Sequence, residues 1–439
     1  MSDTFEAALI ARTEAMLDAC TRCGKCVEAC PITTPAGVTA APRAVIDGII
    51  DILRASEGLD AARQWARACA ASGECIKACE VGVNPRFLLA MARVAMAHSG
   101  DGAADRRRRG IENFRRVTRD VTHLARMQLD DALLQRLGQE TSGDIKGQRA
   151  RAEPPDFVFY IGCNVLQTPH IALLALDIMD ALWIVYQVMG GPTHCCGVLQ
   201  LRAGDVEIAG RVALAAVNKI AASGSGQVVS WCAGCHMQFT EVTLPTVERL
   251  RGARPFEMTP FMLFLGRNLD RLRPLLRKRV EMRVALHRHP SVVGVVEAAE
   301  SILHAVPGVT LVELGQPAVG LAAALPAYQR ELHRNELDAA QAAGIDALLT
   351  VYHFDHRHLC AHERDYEFRI MNVLEIVGES MGLRRDDGYK RFKMMQDVDT
   401  IAADCQELAR QHRLNPQTTR QVIQAMLSDQ PLPLPGRAS

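Results

Sequence analysis

Apolar residues recur at helical spacing through most of the first hundred positions. Phe5, Leu9, Ile10, Met16 and Leu17 share one face of a helix expected over Thr4 to Leu17, and Arg43 to Arg54 and Pro85 to Ala97 repeat the pattern. Ser99-Gly100-Asp101-Gly102 punctuates the chain, and Gly143 to Pro155 reads as a polar linker. The period then changes. Phe157 to Ile161 is a short run of β-formers expected as a buried strand, Ile171 to Leu182 is helical, and Trp183 to Met189 is expected as a second buried strand. Strands and helices alternate until about residue 385, after which Asp386 to Gln430 returns to helical spacing through Val398, Ile401, Ala402, Cys405 and Leu408. The Pro-rich tail Pro431 to Ser439 is expected to be disordered.

The alternating stretch contains an internal repeat. Thr193-His194-Cys195-Cys196-Gly197 corresponds to Gln316-Pro317-Ala318-Val319-Gly320, and Val229 to His236 corresponds to Leu349 to His356. Each copy carries an alanine-rich helix between these landmarks, ending in Ala221 to Gly226 and Ala340 to Gly344. Strand–helix alternation in both copies points to two α/β units with mainly parallel sheets. The expected fold class is therefore α+β multidomain. A helical region, 1–100, precedes a helical linker, 101–155, and two α/β repeats follow at 156–275 and 276–385, with a helical segment and tail at 386–439.

The chain has 439 residues, with 50 Lys and Arg against 50 Asp and Glu, a balance that gives no reason to expect nucleic acid or an anionic membrane as partner. The basic run Arg106 to Arg109 is expected as a solvated helix face, with a docking surface for an acidic partner as the sharper alternative. Met1 to Ala19 lacks the basic start and apolar core of a signal peptide, and Ile171 to Gly190 is broken by Asp177, Asp180 and Gln187, so no transmembrane segment is expected. Motif-clustered cysteines without an export signal argue for a reducing compartment, the cytoplasm.

Twelve of the 14 cysteines fall into three groups. Thiolate is the soft ligand that iron–sulfur clusters require. Cys20-x2-Cys23-x2-Cys26-x3-Cys30-Pro31 is a specific signal for a [4Fe–4S] cluster, in which the fourth cysteine of the run ligates the other cluster of a two-cluster module. The second group is Cys69-x5-Cys75-x3-Cys79, with Ser72 at the missing cysteine and Glu80 in place of proline. Crossed ligation assigns Cys20, Cys23, Cys26 and Cys79 to a full [4Fe–4S] cluster. Cys30, Cys69 and Cys75 remain for the other, a set suited to [3Fe–4S]. Two other readings stay open: Ser72 supplies an alkoxide to a fourth iron, or the site is a labile cubane.

These motifs resemble the helical ferredoxin domain of the iron–sulfur subunits of succinate dehydrogenases and fumarate reductases, which also use Cys-x5-Cys-x3-Cys around a [3Fe–4S] cluster. Glu80 is the departure. The third group, Cys163-x31-Cys195-Cys196-Gly197-x34-Cys232-x2-Cys235, resembles the cysteine-rich "CCG" domain. That domain occurs in the catalytic subunits of heterodisulfide reductases, in iron–sulfur subunits of glycolate oxidase, anaerobic glycerol-3-phosphate dehydrogenase and lactate-utilisation proteins, and in thiol:fumarate reductase. The resemblance implies that Cys163, Cys195, Cys196, Cys232 and Cys235 hold a catalytic, non-cubane [4Fe–4S] cluster. Gly197, and Gly234 with it, would let the backbone pass close to the metal.

Two-copy members carry a cluster in each unit. Here Ser291, Ala318, Val319, Tyr352 and Asp355 are read as occupying the second set of ligand positions, so a second CCG cluster is not expected. His287, His289, His353, His356, His358 and His362 surround those positions, with Cys360 nearby, either as a metal or substrate site or as polar filling of a decayed one. Cys360 and Cys405 lack motif partners and are expected as small buried hydrophobes.

With no Gly-rich dinucleotide fingerprint, the expected function is that of an iron–sulfur subunit of a heterodisulfide-reductase-like complex, acting on a thiol, disulfide or sulfur carrier. The alternative is a relay subunit of a flavin-dependent glycolate, lactate, glycerol-phosphate or succinate dehydrogenase delivering electrons to quinone. A third is an assembly scaffold. Expected partners are a flavoprotein or other redox subunit and a membrane-attached, quinone-reactive protein.

Overall fold

The computed structural model describes residues 4–54, 57–139 and 154–434. Helices Phe5–Ala19, Pro42–Leu53, Asp60–Ala68 and Pro85–Gly100 form the N-terminal module. Thr4 and Asn84 cap the first and last of these by accepting hydrogen bonds from Ala7 N and Phe87 N, and Pro85 occupies the first helical turn, where a missing N–H costs nothing. Ile46, Ile49, Trp65, Phe87 and Leu88 are buried between them. That core is continuous with one side of the first repeat, through Val158, Tyr160, Val217, Ile220 and Phe239.

Helix Ala103–Gln128 occupies much of the stretch expected as a helical linker and forms a long strut. Its 26 residues span about 39 Å at 1.5 Å per residue. The basic run at its start is not simply solvated. Arg107 pairs with Asp205 and Glu207, and Arg109 with Asp101 and the Ala203 carbonyl, so the run fastens the strut to the first repeat. Most of the segment read as a polar linker, and residues 435–439 of the tail, lie outside the described residues. Within the tail, Leu432 and Leu434 are buried against the protein, contrary to the expected disorder.

The two repeats have one topology. Strands β1 (Phe157–Gly162), β2 (Tyr186–Gly190), β3 (Gln227–Ser230) and β4 (Glu257–Pro260) form a parallel sheet ordered β2-β1-β3-β4. Strands β5 (Met282–His287), β6 (Val309–Val312), β7 (Ala347–Thr350) and β8 (Arg369–Asn372) form a second, ordered β6-β5-β7-β8. Helices cover both faces, which is why β1 and β7 are apolar at consecutive positions rather than alternately. β2 begins later than its sequence suggests. Trp183 adopts φ 54° in the preceding turn and is 91% exposed, so it ends a helix instead of filling a strand.

The helix after β4 (Phe261–Arg267) packs on the helix after β5 (Val295–Ala305), and the helix after β8 (Val373–Met381) packs on the helix after β1 (Pro169–Ala181). This reciprocal arrangement is that of a pseudo-two-fold axis, and it buries one core between the repeats. Among the described residues no helix is long and apolar enough to cross a membrane.

The second repeat's Val319-Gly320 turn, where the first has Cys196-Gly197, docks on the N-terminal module. Leu321 N donates to the Ala70 carbonyl at 3.1 Å. Gly320 has φ +90°, and a Cβ there would lie 2.5 Å from Ala70 O, a backbone atom that cannot swing aside. Gly320→Ala is expected to cost about 3 kcal/mol or more, read as a lowered thermal midpoint, because strain and overlap coincide.

Candidate metal centres

The first motif folds into a loop followed by the short helix Lys25–Glu28. Cys20, Cys23, Cys26 and Cys79 line one small cavity walled by Ile46 and Leu88, so the cysteine of the second motif does cross to the first. Burial, with the charges of Cys20 and Cys23 added, pushes the Cys26 thiol up to about 12. Cys23 is exposed, which leaves this site next to solvent. Glu80, standing where proline was expected, pairs with Lys25 at 2.5 Å on the surface and joins the two motifs.

The second motif repeats the first in backbone as well as spacing. Arg22 and Gly24 have φ of 56° and 83°, and Ala71 and Gly73 have 61° and 86°. The short helix Glu74–Lys77 follows, as Lys25–Glu28 does. Ser72 therefore occupies the Cys23 position and is buried. Cys75 lies close enough to Cys69 and Cys30 for their charges to raise its thiol further, burial being the larger cause.

The third group forms at the carboxyl ends of β1 and β3, where ligand sites of open parallel sheets gather. Cys163 follows β1, Cys195 and Cys196 lie in the turn after β2, and Cys232 and Cys235 straddle the start of helix Ala233–Met237. Gly162 is the glycine this crowding requires. A Cβ there, at φ +76°, would lie 3.0 Å from Cys232 Cβ and 3.3 Å from Cys235 Sγ. Gly197 instead turns in the left-handed region against the Ala209 carbonyl, and Gly234 meets no sulfur closer than 3.9 Å. The approach expected of those two belongs to Gly162.

Cys195, Cys196, Cys232 and Cys235 are buried and Cys163 partly so. Their sulfurs find hydrogen-bond partners largely in one another. Cys196 is held low by donation from Cys195 and Cys235, and Cys232 by Cys235 and then His353. Cys235 is raised by the same contacts, and Cys163 is raised to about 12 by burial and by Cys196 and Cys232. Five thiols this close cannot all ionise unless a cation lies among them, and a metal cluster would supply it. The donor set fits such a group.

Two features connect the centres, and neither has a motif. Arg86 donates to Ala71 O beside the second group at 2.7 Å, to Ser291 O of the second repeat at 2.8 Å, and to both carboxylate oxygens of Glu241. Glu241 sits in a wide π turn, Gln238–Thr243, formed because Pro245 has no N–H to offer the Glu241 carbonyl. Arg86→Ala is expected to destabilise the protein by about 2–3 kcal/mol, because Glu241 would be left half-buried and unpaired. A double variant, Arg86→Met with Glu241→Gln, should recover most of that loss in the same denaturation measurement. The second feature is His353, which favours the Cys232 thiolate from across the repeat boundary.

The histidine-rich set does not form a single site. His356 pairs with Asp387 at 2.7 Å, His362 with Asp365 at 3.0 Å, and His287 and His289 face Asp355. Tyr352 and Asp355 stand where Cys232 and Cys235 stand in the first repeat. The strand registers set Pro290, rather than Ser291, level with Cys163. Cys360 and Cys405 are both buried.

Residues 16–83 match the family described as a 4Fe-4S dicluster domain, and residues 157–240 match the cysteine-rich domain. The D subunit of dihydromethanophenazine:CoB–CoM heterodisulfide reductase from Methanosarcina mazei is 25% identical over 417 residues, covering 84% of this chain and 94% of its own. The Methanosarcina barkeri protein of the same name is 24% identical over 417 residues, with the same coverage of each chain. The B subunit of a fumarate reductase (CoM/CoB) from Methanothermobacter marburgensis is 22% identical over 382 residues, covering 82% and 72%. The chain thus carries both cluster-binding domains and is a distant homologue of oxidoreductase subunits.

Proposed function

We propose that this chain is the iron–sulfur subunit of a heterodisulfide-reductase-like or thiol:fumarate-reductase-like complex, exchanging electrons with a thiol, disulfide or sulfur carrier. The observation that carries the reading is the five-cysteine site at the ends of β1 and β3, backed by the second repeat through Tyr352 and His353. Cys163, Cys195, Cys196, Cys232 and Cys235 would hold a non-cubane [4Fe–4S] cluster. Cys20, Cys23, Cys26 and Cys79 would hold a cubane, and Cys30, Cys69 and Cys75 a [3Fe–4S] cluster. Bound clusters supply one-electron steps.

Disulfide cleavage needs two electrons and two protons. The first site, exposed at Cys23, is where a redox partner such as a flavoprotein would deliver electrons. Arg86 holds the second site's loop against the π turn that follows Cys235. His353 is a hydrogen-bond partner of the Cys232 sulfur, and burial keeps the nearby Tyr352 phenol protonated.

Redox titration of the anaerobically purified complex, followed by EPR, tests this. A cluster signal that changes on adding thiol or disulfide is expected, and it should be absent in Cys232→Ala. Silence toward thiols, with rapid reduction by a copurifying flavoprotein, would replace this reading with that of a dehydrogenase relay passing electrons to quinone.

A further inference from the structure

The second repeat has no cysteines at its ligand positions, yet the ends of β5 and β7 are not merely filled in. His287 Nε2 lies 3.4 Å from Asp355 Oδ1, and His289 Nδ1 lies 3.5 Å from the same oxygen. Both separations exceed the roughly 2.7–3.2 Å of an N–H···O hydrogen bond. They equal the edge of a coordination polyhedron, since two ligands about 2.1 Å from one ion at a tetrahedral angle sit about 3.4 Å apart.

The other nitrogen of each ring is fixed separately. His287 Nδ1 faces Glu336 Oε2 at 2.6 Å, and His289 Nε2 faces Ser291 Oγ at 2.5 Å. A carboxylate or hydroxyl on the far nitrogen is the outer support that metal-binding histidines use to set tautomer and orientation. The inward atoms have no such support. His289 is 2% exposed and its Nδ1 has no hydrogen-bond partner, and Asp355 is 5% exposed with Oδ2 likewise unpartnered.

From this geometry we infer that the second repeat binds one divalent transition-metal ion, zinc or iron(II), through His287 Nε2, His289 Nδ1 and the Asp355 carboxylate. Two imidazoles and one carboxylate suit these ions and leave coordination positions open. The site is where the first repeat places its sulfurs, with Asp355 at the Cys235 position. Soft ligands have been exchanged for harder ones, so a single ion takes the place of a cluster. His287 and Glu336 also line a cavity of about 50 Å³ with Arg288 and His333. The inference stands whether or not the five-cysteine site acts on thiols.

Metal analysis of the full chain tests it. Protein purified anaerobically, supplemented with zinc and gel-filtered should retain about one zinc, or one iron beyond that matched by acid-labile sulfide, per chain. A zinc K-edge spectrum should show nitrogen and oxygen neighbours only. His289→Ala and Asp355→Ala should lose that ion at least tenfold with sulfide content unchanged, and Glu336→Gln should weaken it about 10–100-fold. Three results would each overturn the inference: no ion beyond sulfide-matched iron, sulfur in the zinc shell, or full retention by Asp355→Ala. In the first case His287, His289 and Asp355 form only a charge-compensated network. The wild-type stoichiometry decides this even if a variant fails to fold.

Discussion

On the proposed cluster assignment, Cys232→Ala is expected to abolish turnover and to lower iron and sulfide by one cluster's content, leaving the signals of the N-terminal sites in place. Cys232 is central to its group. It accepts from Cys235, its charge raises Cys163, and His353 from the opposite repeat favours its thiolate. Alanine removes a ligand and also the sulfur that His353 addresses. The scaffold should survive, because the core between the repeats is built from strands and helices of both and does not include Cys232. Quantitative iron and sulfide analysis with EPR of the dithionite-reduced protein checks the outcome. Loss of the N-terminal signals as well would mean that the cysteine groups do not load independently.

The same three groups were legible in the sequence because thiolate has no substitute and two of the three spacings are local. The strand–helix alternation and the internal repeat were legible too, since parallel strands buried on both faces leave continuous apolar runs such as Phe157 to Ile161. What escaped depends on distant residues meeting. Arg86 belongs to an unremarkable helix, and only the fold brings Ala71, Ser291 and Glu241 to its guanidinium. Gly320 reads as the relic of a CCG turn, and its present role is set by Ala70, some 250 positions earlier. The histidines were visible as a set, but Asp387 takes His356 and Asp365 takes His362, leaving His287, His289 and Asp355 together. Trp183 misled because a large apolar residue beside a strand looks like core until its left-handed turn is seen.

On the proposed three-iron assignment, Ser72→Cys should convert the second N-terminal site to a four-iron cluster. The oxidised-state EPR signal of a [3Fe–4S] centre should vanish, a reduced-state [4Fe–4S] signal should replace it, and iron should rise by one per chain. The backbone is already shaped for it, since Ala71 and Gly73 repeat the φ angles that present Cys23 at the first site. The residue is buried, so the new thiol is enclosed rather than free in solvent. The added iron offsets the charge of the fourth thiolate, so what changes is the cluster type, which helps set the potential and is expected to lower it. Electrons would then have to climb at the step next to Arg86, and transfer from the first site to the five-cysteine site should slow although both keep their ligands. If Ser72 already binds a fourth iron as alkoxide, the wild type will show no three-iron signal and the variant will change potential without gaining iron. If the proposed electron path holds, this position sets how easily charge passes from the exposed first site to the five-cysteine site, and replacing one oxygen by sulfur measures it.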